Sequence, residues 1–240
     1  MKSHNQHDSK QVLSIKDLNV RYGNETVIED ISFSLTEGEI LAVMGPNGSG
    51  KTTLFKAILG SLPYNGKIIL GPETKIGYVP QKIDLERNLP ITVEEFLLLR
   101  VQNLKYGDVL SPETALGLVH MGAPFLHKKF SELSSGEFQR TLIAWALIGK
   151  PNLLLFDEPT SSIDVAGQET VYDLLHHLHD SEKFTLLLIS HDLTVVYRYA
   201  TKVLCLNHSQ ACFGIPKDVL TPTGLKRLYG SGNFYKHATV

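Results

Sequence analysis

Short apolar runs set off by glycine and proline dominate the first third of the chain. Val12 to Tyr22 alternates apolar and polar side chains, which predicts a strand, and Ile31 to Leu35 predicts a second. Glu39 to Met44 (EILAVM) is mostly apolar, the pattern of a strand buried on both faces. It runs into Gly45-Pro46-Asn47-Gly48-Ser49-Gly50 and then a helical stretch from Lys51 to Leu59. Lys67 to Leu70 and Lys75 to Val79 predict two more short strands. After Gln81 the period changes. Thr92 to Gly122 reads as helical, with Val93, Phe96, Leu97 and Val101 as its apolar positions. Thr92 suits an N-cap, with Glu94 and Glu95 in the first turn. Further helices are predicted over Pro112 to Met121 and Gly136 to Ile148. Alternation then returns: strand Leu153 to Phe156, helix Val165 to Asp180, strand Thr185 to Ile189, helix Leu193 to Ala200, strand Val203 to Leu206.

Strands alternating with helices imply an α/β chain whose mainly parallel sheet is covered on both faces. The middle block then reads as a helical insertion. A chain of 240 residues suits one large domain, and 42% hydrophobic residues suffice for a core. The formal net charge of -2 lacks the basic excess of a nucleic-acid binder, so no nucleic-acid partner is expected. Cys205 and Cys212 are the only cysteines, which argues against a disulfide framework and suits a reducing compartment. Residues 1–11 are polar and read as a loose tail without the apolar stretch of a signal peptide, and 231–240 reads as a short C-terminal tail. No apolar run approaches the roughly 18 residues that would span a bilayer, so a membrane role must come through a partner.

Gly45 to Thr52 matches G-x-x-x-x-G-K-[ST]. Glycines let successive backbone N–H groups curl around one anion, and the helix that follows presents its positive end to it. Gly45, Pro46, Asn47, Gly48, Ser49, Gly50, Lys51, Thr52 and Thr53 are therefore candidate ATP-binding residues. Lys51 is placed to reach the β- and γ-phosphates, and the Thr52 hydroxyl to ligate Mg²⁺. The run Leu153 to Phe156 ends in Asp157-Glu158. A buried parallel strand would deliver both acids to the carboxyl edge of the sheet, where ligands bind in open α/β folds. Asp157 is the candidate Mg²⁺ holder and Glu158 the candidate base for the attacking water.

Leu133-Ser134-Ser135-Gly136-Glu137-Phe138-Gln139-Arg140 resembles the LSGGQ signature of ATP-binding-cassette (ABC) ATPases. Other pieces follow in that family's order over about Val12 to Gly230. Tyr22 matches its adenine-stacking aromatic, Gln81 its Q-loop, Ser161-Ser162-Ile163-Asp164 its D-loop, and His191 its switch histidine. The resemblance implies a P-loop NTPase (RecA-like) core with an inserted α-helical subdomain and an N-terminal antiparallel β region. The core would span about 12–84 and 149–230, the helical subdomain about 85–148. It also implies catalytic roles for Glu158, His191 and Gln81, a metal role for Gln81 beside Thr52 and Asp157, and nucleotide contacts from Tyr22, Ser134, Ser135, Gly136, Glu137 and Asp164. Each position has a plainer reading beside this. Ser134 with Glu137 is a capping box, Tyr22 a strand aromatic, Gln81 a loop polar residue and His191 a capping or buried histidine. Ser135 stands where the family usually has a second glycine, Glu137 where glutamine is common, and Trp145 where arginine is frequent.

The phosphate loop and the signature would face different nucleotides, so the resemblance implies a homodimer enclosing two ATP molecules. It also implies a membrane permease that docks on the block between Gln81 and Ser134, at the cytoplasmic face of the inner membrane. The stretches Lys75 to Gln81, Leu89 to Val93 and Leu204 to Pro216 are similar to ATPase subunits of zinc or manganese importers, which would add an extracytoplasmic metal-binding protein as an indirect partner. His176 and His179 share a helix face at i,i+3, and Cys205 and His208 lie close in sequence. A solvated helix face, a buried strand cysteine and a turn histidine are the simpler readings of these groups. An ABC ATPase for another cargo, or a soluble non-transport ABC ATPase, remains an alternative. The latter usually carries coiled-coil insertions or tandem cassettes. A P-loop kinase would have no use for Leu133 to Arg140, and a GTPase would normally show N-K-x-D.

Overall fold

The computed structural model describes residues 10–81, 90–104, 109–158 and 165–230. Five strands form its parallel centre: β3 (Ile40–Met44), β5 (Ile76–Val79), β6 (Leu153–Asp157), β7 (Thr185–Ile189) and β8 (Lys202–Asn207). Their order across the sheet is β8, β3, β7, β6, β5. All residues of β3, β6 and β7 are buried, as their uninterrupted apolar runs require. Alternate side chains serve opposite faces. Leu153 and Leu155 join one core cluster, Leu154 and Phe156 another. On the far side β9 (Ser209–Gly214) folds back antiparallel on β8 and meets β2 (Glu25–Thr36) at Glu29↔Ser209. This joins the centre to an antiparallel set of β2, β1 (Gln11–Tyr22) and β4 (Asn65–Leu70).

Helix α1 (Lys51–Ile58) buries Leu54, Phe55, Ala57 and Ile58 on one face of the sheet. The other face carries α2 (Val93–Asn103), α3 (Pro112–Leu118), α4 (Ser135–Leu147) and α5 (Val165–Glu182). The same face continues under α6 (Leu193–Tyr199), α7 (Pro216–Val219) and α8 (Pro222–Tyr229), which cover Ala42, Met44, Val203 and Cys205. Thr92 opens α2 with a full capping box: its hydroxyl accepts from Glu95 N at 3.2 Å, and Glu95 Oε2 accepts from Thr92 N at 2.7 Å. Trp145 of α4 stacks on Phe96 of α2 at 6.0 Å, with the Arg100 guanidinium 4.5 Å over its ring. The residue that departs from the usual arginine therefore clamps α4 to α2.

Several elements differ from the sequence expectation. β1 starts at Gln11, paired with Thr36, one residue inside the expected tail. β2 is far longer than Ile31 to Leu35: at Asp30, φ 50, its register on β1 shifts and its alternation breaks, so only the segment after Asp30 reads as a strand in sequence. The helix expected over Pro112 to Met121 is present as α3 but ends earlier, at Leu118. β9, α7 and α8 were not expected, although α8 is amphipathic and opens with Thr221 as its cap and Pro222 as its first residue. Cys205 and Cys212, expected as separate thiols, lie opposite each other on β8 and β9 and are joined as a disulfide. The unforeseen β9 strand is what brings them together.

Truncating Leu187, fully buried at the centre of β7, is expected to cost roughly 2–5 kcal/mol as Leu187→Ala. Leu99, half exposed at 51%, should change stability by no more than about 0.5 kcal/mol on the same truncation. Urea denaturation of the two variants separates these outcomes, and equal losses would contradict the burial.

Candidate active site

The parallel order puts four strand ends side by side. β3 leads into Gly45, β7 into Ser190 and His191, β6 into Glu158, and β5 into Pro80 and Gln81. One cavity of about 380 Å³ lies there, lined by Asn47, Gly48, Gly50, Lys51, Thr52, Thr53, Gln81 and Glu158. Residues far apart in sequence meet because every strand runs the same way.

Gly45 is pressed against the sheet: a Cβ there would lie 2.0 Å from the Leu206 carbonyl oxygen and 2.7 Å from Ser49 Oγ. Gly50, at φ 98, caps α1 without any side-chain hydrogen bond to the first turn. The leading amides of α1 are thus open to an anion, with the helix's positive end behind them. Lys51 Nζ donates to the Gly45 and Pro46 carbonyls at 2.9 Å each. Burial holds its pKa below the ordinary lysine value, opposed by the charges of Glu158 and Asp157. Ser49 Oγ is buried with no hydrogen-bond partner among the described residues. Open amides, a desolvated ammonium and an orphaned hydroxyl make a cradle that fits a polyphosphate.

Beside it, Thr52 Oγ1 donates to Asp157 Oδ1 at 3.3 Å. Asp157 is 2% exposed, and burial raises its pKa although the Thr52 and Tyr78 hydroxyls bond it. The Tyr78 phenol is pushed up to about 12, by burial first and by Asp157 second. Glu158 follows in the left-handed region at φ 45. Gln81 Nε2 donates to Glu158 Oε2 at 2.7 Å, and His191 Nε2 grips the other carboxylate oxygen. The bond from His191 is the largest cause holding the Glu158 carboxyl below its ordinary pKa, against burial. Thr52, Asp157 and Gln81 offer oxygen atoms suited to a hard divalent cation such as Mg²⁺.

The signature residues lie elsewhere. Ser134 caps α4, its hydroxyl accepting from Glu137 N at 3.2 Å while Glu137 Oε2 accepts from Ser134 N at 2.8 Å. The Ser134 amide lowers the Glu137 pKa, aided by Lys128. Ser134, Gly136 and Glu137 line a different cavity of about 280 Å³ with His120 and Arg140. Ser135, at the usual glycine position, is the first residue of α4. Tyr22 stands exposed at 51% at the end of β1 and is not among the residues lining the phosphate cradle. Asp164, like the rest of 159–164, lies outside the described residues. The His176 and His179 rings are 6.4 Å apart, but their Nδ1 atoms are engaged by Asp180 and by the Phe184 carbonyl. No group of three or more histidine, cysteine or acidic ligands occurs among the described residues.

Sequence reasoning missed two tyrosines. Tyr78 bonds Asp157, and Tyr229 of α8 is bonded to the Gly45 backbone. Tyr78 sits just before the predicted Gln81 loop, a placement that hints at the site. Nothing local marks Tyr229, because its contact depends on how α8 folds over the sheet.

Residues 28–161 match the ABC transporter family. The chain belongs to that family. Among relatives of this ABC ATPase, the zinc import ATP-binding protein ZnuC of Haemophilus influenzae is 36% identical over 239 residues, covering 97% of this chain and 87% of that protein. ZnuC of Yersinia enterocolitica is 41% identical over 220 residues, covering 91% and 85%. A solved metal-chelate type ABC transporter in an inward-facing conformation superimposes with a TM-score of 0.80 at 31% identity, covering 91% of this chain and 89% of its counterpart. None of the described helices is long and apolar enough to cross a membrane.

A lowered carboxyl pKa means the pairing stabilises the fold fully above the unfolded value of about 4.3 and is lost as pH falls through the lower folded value. His191→Ala should therefore cost at most about 1 kcal/mol at neutral pH, because the pair is partly exposed. Urea denaturation across pH should show the gap to the parent closing below about pH 4. A gap independent of pH would mean that Glu158 is not held as an ionised partner of His191.

Proposed function

We propose that this ABC ATPase hydrolyses ATP to drive import of a divalent metal ion, zinc or manganese, through a separate membrane permease. The ATPase part is carried by one observation: a single cavity is lined by residues that follow three parallel strands, β3, β5 and β6, while His191 at the end of β7 grips the Glu158 that lines it. The cargo part is supported by relatives named zinc import ATP-binding proteins that cover 97% and 91% of the chain.

Lys51 exchanges its bonds to the Gly45 and Pro46 carbonyls for β- and γ-phosphate oxygens, and the amides of 47–52 cradle the same phosphates. Thr52, Asp157 and Gln81 are the residues that would hold Mg²⁺, which supplies neutralisation of phosphate charge. Glu158 orients a water and takes its proton as the water oxygen bonds the γ-phosphorus and the bond to the leaving ADP oxygen breaks. His191 positions Glu158 and the terminal phosphate, and Gln81, whose Nε2 donates to Glu158 Oε2, would hold Mg²⁺ through its amide oxygen. Tyr22 stacks on adenine.

Ser134, Ser135, Gly136 and Glu137 stand apart from this cradle and serve the nucleotide of a second copy, with Asp164 near the shared face. Two chains then enclose two ATP molecules, and hydrolysis returns the pair to the open state, because ATP binds the closed state more tightly. The helical block over about 85–148 carries the permease surface. The chain acts at the cytoplasmic face of the membrane, served indirectly by an extracytoplasmic metal-binding protein.

Glu158→Gln should keep ATP binding and dimer formation while lowering turnover by roughly a hundredfold or more. A phosphate-release assay beside size-exclusion chromatography with ATP reads both, and normal turnover would remove Glu158 from its role. For the cargo, the chain co-purified with its permease in proteoliposomes should show ATP-dependent uptake of zinc or manganese. Uptake indifferent to both ions would sink the metal assignment and leave the ATPase standing.

A further inference from the structure

The hairpin of β8 and β9 lies against the phosphate loop at two points. Gly45 fits only because it has no side chain facing the Leu206 carbonyl, 2.0 Å from where a Cβ would stand. His208, at the hairpin turn with φ 62, donates its N–H to the Ser49 carbonyl at 3.2 Å. The His208 carbonyl in turn accepts the Glu29 N–H at 2.8 Å, fixing the turn to β2. Residues 206 and 208 thus brace residues 45 and 49.

Cys205 and Cys212 sit at the base of this brace. They are partners in the antiparallel register, with Cα atoms 4.7 Å apart and sulfurs joined. Cys205 also pairs across the parallel side with Met44, the residue before Gly45. The register shifts between Cys205 and Leu206, so the hairpin carries an irregularity between the cysteine pair and the contact with Gly45. A covalent tie just beneath a bulge limits its freedom.

We propose that Cys205 and Cys212 are a reversible redox modification site whose state sets how firmly the phosphate loop is braced. Its co-reactant is a low-molecular-weight disulfide. Cys205 is 2% exposed and packed among Met44, Val203 and Leu228, whereas Cys212 is partly exposed, so Cys212 meets the reagent first. The Cys212 thiolate attacks one sulfur of the small disulfide, forming a mixed disulfide and releasing one small thiolate. The Cys205 thiolate then attacks the Cys212 sulfur, closing the protein disulfide and releasing the second. Two electrons pass from the protein sulfurs to the small disulfide, and the two thiol protons end on the two small thiols. Excess small thiol reverses both steps.

Full-length protein equilibrated in glutathione buffers of graded oxidised-to-reduced ratio tests this. Intact mass and thiol alkylation report the disulfide, and a fluorescent ATP analogue reports affinity at each ratio. The expected result is one two-electron transition, with nucleotide affinity falling about fivefold on reduction, the scale of one bracing hydrogen bond. Cys212→Ser, at the partly exposed position, should hold the reduced affinity in every buffer. Alkylation of the parent chain under fixed reducing and oxidising buffers gives the same comparison without a substitution. Both thiols alkylating at every ratio would overturn the site, and a disulfide that leaves affinity unchanged would overturn the coupling. Neither readout depends on which ion is transported.

Discussion

Burial of the central strands on both faces forces their polar ends to one edge, and the site exists because of it. β3, β6 and β7 offer no solvent-facing side for a functional group along their length. Chemistry can appear only where these strands stop, and because they run parallel they stop together. Lys51, Asp157, Glu158 and His191 are then neighbours, although no short segment of chain contains more than two of them. The low dielectric of the core just beneath explains why burial opposes charge on both Lys51 and Asp157. The two groups partly offset each other, and an incoming polyphosphate with its cation would add further counter-charge to each.

The central strands were legible because a doubly buried strand is written as a continuous apolar run. EILAVM and LLLF needed no partner information to be read. β2 and β9 were not legible in this way. Strand β2 keeps its pairing through a left-handed aspartate, Asp30, that disrupts its alternation, opposite a β1 that carries a second at Asp17, and β9 takes its extended form from pairing with β8 rather than from its own side chains. The cradle was readable from its glycines, since open backbone geometry has a local cause. The grip of Gln81 and His191 on Glu158 was not, because both bonds cross between strands distant in sequence. Resemblance supplied those residues as candidates; only the fold supplied their arrangement.

The signature helix illustrates two constraints on one segment. Ser134 and Glu137 satisfy each other's backbone, a purely local requirement of a helix start. Further along the same helix Trp145 supplies aromatic surface to Phe96 and a ring face to Arg100. The replacement of a long cation by an indole thus turns this helix into a packing anchor for α2. Ser135 lies in the first turn, where a small side chain does not interrupt the helix.

Glu158 occupies left-handed backbone at φ 45, a conformation that costs any residue carrying a Cβ on the order of 1 kcal/mol. Glycine and asparagine rest there more comfortably. A laboratory selection that rewarded heat resistance alone would therefore press against the acid at this position. Engineering this protein for durability has to screen for turnover in the same round, because position 158 is one at which glycine relieves backbone strain.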